Sequence, residues 1–549
     1  MEIQDVQFKP KAYRRAAQSI ESLSTDIAQI EEKEGLASIP GVGAHIAEKI
    51  HEYLAVGRLR YLEKLRKETP INVAEMFSIE GIGPKRAKLL YTKLGIKDKK
   101  SLLRHAGKLE GVLGKKEAHN ILSALEQSKQ YGKRMLLNQA YSVAWETVEY
   151  LKKNALVLNI EPAGSLRRGL ETVGDIDILC TTKEPSAVMS AFVKMPNVRN
   201  VIAHGETKSA VKLESGVQVD LRVIDPKSWG SALMYFTGSK QHNIILRKIA
   251  MSKGWKLSEY GLFDRKNKSL SSKTETSVYQ KMGMQYMPPE MREAQGEIDI
   301  ALKNNIPELV LVKDIQGELH CHTKWSDGTR SILEMAEAAL VRGRKYLVIS
   351  DHTGVLKIAG GLNPKQFEKQ WQEISAMQKK VPGIRLLKGC EANILENGSI
   401  DVPDAVLSKM DVVTASVHFG FKSDSVKTTK RIVKAMENPH VDVIGHLSAR
   451  LINRREPIKY DFGELLDAAK QNGTVFEVNS QPDRLDIKDN EIREAVRHGV
   501  KIAVTTDAHM PEHFDNLKYG VLTARRGWAT KRDVVNAMSC ERILDYFGD

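Results

Sequence analysis

A chain of 549 residues is too long for a single hydrophobic core and is expected to divide into several domains. Hydrophobic residues at 42% and charged residues at 28% describe an ordinary globular chain, and no run of about 18 apolar residues reads as a membrane span. Lysine and arginine exceed aspartate and glutamate by 14, of which +12 falls in residues 1–300 and +2 in residues 301–549, so a polyanionic partner is expected for the first half.

Residues 1–135 read as short helices joined by glycine turns, with helical spacing of small and apolar residues over Lys11–Leu23 and Ala44–Leu54. Ile39-Pro40-Gly41-Val42-Gly43 precedes one helix, and Ile79-Glu80-Gly81-Ile82-Gly83-Pro84 precedes another that carries Lys85, Arg86 and Lys88. Each is a tight turn that feeds a helix N-terminus, where free N–H groups and the helix dipole can hold a phosphate. Both resemble the helix-hairpin-helix motif, which grips the DNA backbone, with Gly41, Gly43, Gly81, Gly83 and Lys85 as its contacts. Leu109–Gly114 is a weaker third copy. Ala12-Tyr13-Arg14-Arg15-Ala16-Ala17 together with Gly41–Ile50 resembles the small N-terminal domain of DNA polymerase beta relatives. By that resemblance Lys49 is either a Schiff-base nucleophile toward an abasic sugar, work that needs a lowered pKa which nearby Lys and Arg charges could supply, or a 5′-phosphate contact. His45 stands where those domains usually carry another lysine.

From about 156 to 224 the pattern turns strand-like, with period-two alternation in Asp175–Leu179 and Val217–Val223. Asp175 and Asp177 are two apart on a strand and share a face, and Asp220 faces away from the core side of a second. Three clustered carboxylates suit two divalent ions holding a triphosphate and a primer 3′-hydroxyl. The order Gly164-Ser165, Arg168, then Gly174-Asp175-x-Asp177 resembles the nucleotidyltransferase superfamily. Tyr235-Phe236-Thr237-Gly238-Ser239 with Asn243 and Arg247 resembles family X polymerases in particular. The resemblance implies that Ser165 and Arg168 contact the triphosphate, with Gly164, Gly174 and Gly238 in the same motifs. It implies that Asp175, Asp177 and Asp220 bind metal, that Tyr235 and Phe236 face the sugar, that Asn243 reads the base edge and that Arg247 touches the template side.

Residues 265–300 are polar and irregular, and a domain boundary is expected between them and Lys313, with 265–315 a candidate hinge. Beyond it, β-type runs (Tyr346–Ser350, Val412–Ser416, Val441–Ile444, Val475–Asn479, Ile502–Thr506) alternate with helical segments, the signature of an α/β barrel. His320, His322, Asp327, His352, Glu391, His418, His446, Asp507 and His509 mostly follow those runs, where a barrel collects ligands at one mouth. Such a set suits two or three Zn, Mn or Fe ions and metal-assisted phosphoester hydrolysis. The arrangement over 316–549 is similar to the PHP phosphoesterase domain. That likeness implies that Glu391 bridges metals and that Asp507 and His509 close the site. It also puts Leu447 and Ala449 where Pro and Gly are common. Cys321 and Cys390, beside ligands, are expected to point away from the metals or to stay behind the ligands without touching them. Arg450, Arg454, Arg455 and Arg484 are candidates for holding a strand, against the alternative of a solvated surface.

The combined resemblance implies a multidomain α+β and α/β chain. Its expected parts are helix-hairpin-helix domains at 1–65 and 66–135, a nucleotidyltransferase palm at 136–226, and a nucleotide-contacting domain at 227–300. A linker at 301–315 and a distorted α/β (PHP) barrel at 316–549 follow. The expected activities are short-gap DNA polymerisation in repair, with Mg²⁺ or Mn²⁺ in the palm, and 3′–5′ exonuclease and 3′-end phosphoesterase action, with abasic-site incision, in the barrel. Gapped or nicked DNA and deoxynucleoside triphosphates are the expected partners, and the chain is expected to be monomeric. Two alternatives stay open: a nuclease whose inactive palm only grips gapped DNA, and a non-catalytic end-binding scaffold. Met1–Asp5 lacks a secretion-signal order and the four cysteines show no paired spacing, which suits a prokaryotic cytoplasm.

Overall fold

The computed structural model describes residues 134–354 and 359–548 throughout, the stretches 41–68 and 82–115, and shorter pieces of the remainder of the first 133 residues. The chain falls into two compact units, Met1–Lys133 and Arg134–Asp549. Among the described residues no helix is long and apolar enough to cross a membrane.

The first unit is helical and built on two small apolar clusters. Ala16, Leu36, Ile39 and Val42 form one, and Ile79, Ile82, Ala87, Leu90, Ile96 and Leu102 belong to the other. The two glycine turns share one geometry. Val42 N–H donates to the Ile39 carbonyl and Ile82 N–H to the Ile79 carbonyl, both at 3.0 Å, and the isoleucine and its partner are buried in each copy. Helices Ala44–Val56 and Pro84–Leu94 follow, N-capped by Gly43 and Gly83 with no side-chain cap bond. Both first turns therefore leave backbone N–H groups for another partner. The third copy departs from this pattern: Gly111 lies inside the short helix Leu109–Leu113, and Gly114, at φ +83°, ends it.

The second unit opens with helix Leu137–Asn154. Its buried Leu137, Ala140, Ala144, Val148 and Leu151 form one stripe at helical spacing, packed on a five-stranded sheet. The strands run in the order Asn159–Pro162, Ile176–Thr181, Gln218–Val223, Lys208–Leu213, Val198–His204. Ile176–Thr181 and Gln218–Val223 are parallel, with Asp177 opposite Asp220 in register. Asp175 stands just ahead of its strand rather than within it.

Residues 265–315 are not the loose segment that their polarity suggests. Helix Glu275–Met282 buries Tyr279 and Met282, and Arg292 is fully buried against Glu275 at 2.6 Å. Glu275, Glu290, Glu293, Glu297 and Arg292 are in ion pairs, so for them polarity does not signal exposure. The segment is also pinned to the barrel. Arg525 pairs with Glu290, Arg526 with Glu293, Arg493 donates to Gln295, and Val310 N–H donates to the Ala529 carbonyl. A hinge between Arg265 and Ile315 does not fit this structure.

Seven parallel strands run in chain order through Gly317–Glu318, Tyr346–Ile349, Arg385–Asn393, Val412–Ser416, Val443–Gly445, Val475–Asn479 and Ile502–Thr505. The sheet curls until its ends nearly meet. Cys321 and Ala508 form a single parallel bridge, with His322 N–H donating to the Ala508 carbonyl at 2.8 Å. The Glu318 carboxylate seals the rest of the seam, accepting from the N–H groups of Leu319, His320 and Thr506 and from the Thr506 hydroxyl.

Alternation along the strands sorts the barrel's interior. At their starts Tyr346, Val348, Leu387, Val412, Val443, Val475 and Ala503 form one apolar layer, against which Ile543 of the last helix, Cys540–Gly548, packs. Two or four residues later the same face is polar: Glu391, Thr414 and Ser416, and Glu477. The other face packs under the surrounding helices, so strands such as Val412–Ser416 and Val475–Asn479 are buried at every position. Ile452, Leu485 and Tyr519 of the barrel belong to the same apolar cluster as the palm helix and sheet, and Tyr519 meets Tyr141 edge-on at 5.8 Å.

Candidate active sites

In the first unit Lys49 projects from helix Ala44–Val56, its ammonium donating to the His45 carbonyl at 3.0 Å. The rings of Tyr61 and Tyr13 lie 5.2 and 5.9 Å from it. Aromatic faces are thus among the surroundings of this group. Arg14, Arg15 and Gly81 lie outside the described residues. Gly41 adopts φ +85°, open to glycine at little cost, and Lys85 is exposed on the first turn of its helix.

In the palm, the expected groups converge. A cavity of about 860 Å³ is lined by Gly164, Ser165, Arg168, Asp175, Asp177, Tyr235, Phe236, Gly238, Asn243 and Arg247, all singled out from the sequence. Gly164 is required by proximity: at φ +58°, a Cβ there would sit 2.5 Å from the Asp177 carboxylate. Asp220 accepts from Lys208 at 2.9 Å and from Gln218 at 2.7 Å. Burial, with Asp175 and Asp220 beside it, pushes the Asp177 carboxyl up to about 6. Three carboxylates this close repel one another unless cations intervene, which fits the divalent ions such a site would hold. Gly174 sits just before Asp175 and away from the cavity lining; Arg134 lies 3.0 Å from where its Cβ would be.

Arg167 and Arg168, adjacent in sequence, part ways. Arg167 forks onto Glu275 at 2.7 and 2.9 Å, whereas Arg168 lines the cavity and donates to Glu293 and to the Thr237 carbonyl. Asn243 donates to the Tyr235 carbonyl at 2.7 Å, fixing the end of helix Trp229–Thr237.

At the barrel mouth all nine expected side chains come together around Glu391, which is 1% exposed. One Glu391 oxygen lies 2.9 Å from His446 and 3.1 Å from His418. The other lies 2.9 Å from His352, 3.4 Å from His320 and 3.6 Å from His322. Asp507 approaches His322 at 3.3 Å, and Asp327 approaches His509 at 3.4 Å and His352 at 3.5 Å. Three subsets offer ligand atoms within 4.8 Å of one another: His322, Asp327, His352 and His509; His320, His322 and Glu391; and His352, Glu391 and His418.

Several of these atoms are buried without a hydrogen-bond partner, among them His320 Nε2, both His322 nitrogens, His352 Nδ1 and Glu391 Oε1. So many orphaned lone pairs at one point would be costly unless cations satisfied them, and the donor set fits divalent metals. Burial opposes charge on Glu391, yet His418, His352 and His320 outweigh it and hold the carboxyl well below its usual range. Burial and the neighbouring His509 and His352 push His322 down to about 3, the neutral form that ligates metal. Asp507 at φ +46° and His446 at φ +23° hold backbone conformations disfavoured for non-glycine residues. Ala449, where glycine is common, keeps φ +48°.

The sequence reading missed the residues that orient these ligands. Glu477 accepts from His320 Nδ1 at 2.5 Å and from His446 N–H at 2.6 Å, Asn393 meets His418 Nδ1 at 2.8 Å, and Asn479 donates to Asp507. Asp351 holds the loop carrying Asp327 through Thr323 and Ser326. A buried acid or amide on the inward face of an apolar strand was their legible signal. Cys321 and Cys390 point into apolar clusters, as expected. Arg450 leaves the set of strand-holding candidates: it is buried, paired with Glu171 at 2.7 Å, and donates to the Arg484 and Leu485 carbonyls. Arg484 reaches to 3.8 Å from Asp507, and Arg454 is 72% exposed.

Comparison with known proteins matches four stretches of the chain to family models. Residues 1–59 match the helix-hairpin-helix domain, 73–127 the SAM-like helix-hairpin-helix tandem, 232–293 the DNA polymerase beta thumb and 318–481 the PHP domain. The PHP match ends before Asp507 and His509, which the fold nonetheless brings to the same mouth. A probable phosphatase of Thermoanaerobacter is 34% identical over 204 residues, 35% of this chain and 78% of that protein. The DNA polymerase/3′-5′ exonuclease PolX of Bacillus subtilis is 36% identical over 546 residues, 98% of this chain and 95% of that protein. The chain therefore belongs to the PolX family, the family X polymerases that carry a PHP domain.

Proposed function

We propose that this chain fills short gaps in DNA at the palm and removes nucleotides from 3′ ends at the barrel mouth. The observation that carries the reading is the presence, in one compact unit, of a nucleotide-sized cavity with paired carboxylates and a separate mouth holding nine ligand-type side chains. The domain limits proposed are those read from the sequence, except that residues 301–315 are tied to the barrel rather than forming a loose linker between it and the palm. Four free cysteines suit a reducing compartment, the prokaryotic cytoplasm.

Divalent ions at the two sites would supply Lewis-acid charge, Mg²⁺ or Mn²⁺ at the palm and Mn²⁺, Zn²⁺ or Fe²⁺ at the barrel. In the palm, Asp175, Asp177 and Asp220 hold the ions, with Lys208 and Gln218 fixing the Asp220 carboxylate. Ser165 and Arg168 bind the polyphosphate, and Arg168 offsets charge that develops as the primer 3′-hydroxyl attacks the α-phosphorus and pyrophosphate leaves. Tyr235 and Phe236 wall the sugar side, Asn243 faces the base and Arg247 the template.

At the barrel, the six histidines, Glu391, Asp327 and Asp507 form the ligand set, oriented by Glu477, Asn393 and Asn479. Arg484, 3.8 Å from Asp507, and Arg454 are the candidates for holding a phosphodiester. Action on 3′-phosphates and abasic sites uses the same hydrolytic chemistry and is part of the proposal. In the first unit, Gly41, Gly43, Gly81, Gly83 and Lys85 grip the DNA backbone, and Lys49 meets the 5′ side of the gap.

A labelled DNA with a one-nucleotide gap tests the reading, with Asp175→Ala/Asp177→Ala compared with His320→Ala/His322→Ala. Extension is expected to disappear only in the palm variant and 3′ degradation only in the histidine variant. Loss of both activities in either variant would sink the assignment of two independent sites.

A further inference from the structure

Part of the palm cavity's wall comes from the barrel: Lys488, Asp489, Thr523 and Arg526 line it together with the polymerase motifs. Helix Leu517–Arg526 lies against the turn that carries Ser165 and Arg168. A Cβ on Gly169 would meet the Leu522 side chain at 3.4 Å. At the end of that helix, Arg526 donates from one guanidinium nitrogen to the Arg168 carbonyl and to a Glu293 oxygen, each at 3.0 Å. The same Glu293 oxygen accepts from Arg168 Nε at 2.9 Å. The rest of the Arg526 fork is held by Asp489 at 2.6 and 2.8 Å.

Arg526 thus grips Arg168 twice, once through its backbone and once through the carboxylate that its side chain pairs with. The side chains of Arg168, Glu293 and Arg526 are 12%, 20% and 11% exposed, so water screens these charge-assisted bonds weakly. Arg168, Arg526, Glu293 and Asp489 balance as two pairs, so Arg526 adds no net charge to the wall; what it adds is a fixed place for Arg168. Only a fork spans all three partners; a lysine ammonium in its place lacks the planar set of donors.

We propose that Arg526 is a positioning residue for nucleotide binding: by holding the Arg168 backbone and Glu293, it aims Arg168 at the polyphosphate of the incoming nucleotide. The barrel is thereby part of the polymerase's nucleotide site as well as a nuclease. This inference rests on the polymerase reading above.

The test uses the full chain on one-nucleotide-gapped DNA, with KM for the complementary deoxynucleotide and kcat measured separately. Degradation of a single-stranded oligonucleotide reports on the barrel. Arg526→Ala is expected to raise KM roughly tenfold, to lower kcat as well because Arg168 also offsets the developing charge, and to leave degradation unchanged, with Arg526→Lys recovering part of the loss. Glu293→Gln, which leaves both arginines in place, is expected to raise KM as well, and the double variant to lose less than the product of the two. An unmoved KM in Arg526→Ala with degradation intact overturns the proposal. Where Arg526→Ala loses degradation and melts early, Glu293→Gln decides: a raised KM supports the proposal and an unmoved one overturns it. A wild-type chain that fails to extend the primer overturns the polymerase reading and this inference with it. Extension by the wild type with KM unmoved in both variants overturns this inference alone.

Discussion

Glu275 holds two arginines from different parts of the chain: Arg167, on the phosphate-facing turn, and Arg292, buried in the segment that leads to the barrel. Burial raises the pKa of a carboxyl at such a place, but Arg292 and Arg167 outweigh it and bring Glu275 down to about 2 from 4.5. A carboxyl depressed in the folded state adds stability that is fully present above its unfolded pKa and is lost as pH falls through the folded one. Glu275→Gln should therefore destabilise the chain near pH 7 by about 3–5 kcal/mol, since it leaves two guanidiniums without their counter-charge. The gap between variant and wild type should close as pH falls from about 4.5 toward 2. Urea titrations at several pH values measure this, and a gap independent of pH would show that the ion pairs contribute little. Nothing in the sequence marks Glu275 or Arg292 for this role. They lie in a stretch whose polarity reads as surface, because a buried ion pair and a solvated one have the same composition.

At the scale of the strand, the barrel's function comes from one switch on its inward face, from apolar at the start to acidic or imidazole-facing at the end. Val475–Asn479 shows it in five residues: Val475 in the apolar layer, Glu477 against His320 and His446, Asn479 against Asp507. Glu477→Gln keeps the shape and removes the charge that orients the His320 imidazole. It should lower metal affinity and 3′ degradation by about 10–100-fold while primer extension stays at the wild-type rate. Metal content after dialysis, set beside both activities, checks this; a variant that keeps its metal would assign Glu477 to packing alone. The same strands show why so much was legible. Val412–Ser416 and Val475–Asn479 fall where their apolar runs predicted, since a strand covered on both faces writes itself as a continuous apolar stretch. Glu391, in contrast, sits inside the nine-residue strand Arg385–Asn393, which Gly389 and Lys388 interrupt in the sequence. Gly389 is there because Val348 and the Val412 carbonyl leave no room for a side chain, a constraint set by neighbouring strands and invisible in a single segment. His320 and His322 were found by their spacing, although they follow a two-residue strand and meet only one bridge. Their partners Glu477 and Asn393 stayed hidden, because supporting residues carry no spacing rule of their own.

At the scale of the molecule, the boundary that matters physically differs from the one composition suggests. Charge and histidine content divide the chain near residue 300, but Ile452, Leu485 and Tyr519 of the barrel complete the palm's apolar cluster, and the compact units divide between Lys133 and Arg134. Two truncations follow from this. A fragment that ends at residue 315 strips the palm of Tyr519, Leu485 and Ile452, takes Arg525 from Glu290 and leaves Glu293 with Arg168 alone, so it should aggregate or melt well below the full chain. A fragment of residues 134–549 cuts no core and keeps both sites, so it should fold, degrade single strands at the full-length rate and extend primers with kcat within about twofold. What it loses is half of the net charge, since residues 1–133 hold 24 Lys and Arg against 17 Asp and Glu. They also hold the two open helix N-termini after Gly43 and Gly83. Its KM for gapped DNA should rise, and its dependence on salt should weaken because fewer counterions are released on binding. Extension assays on gapped DNA across a salt series separate the outcomes. A fragment with full-length DNA affinity and an undiminished salt slope would place the DNA grip in the palm and barrel instead, and leave the helix-hairpin-helix turns without that task.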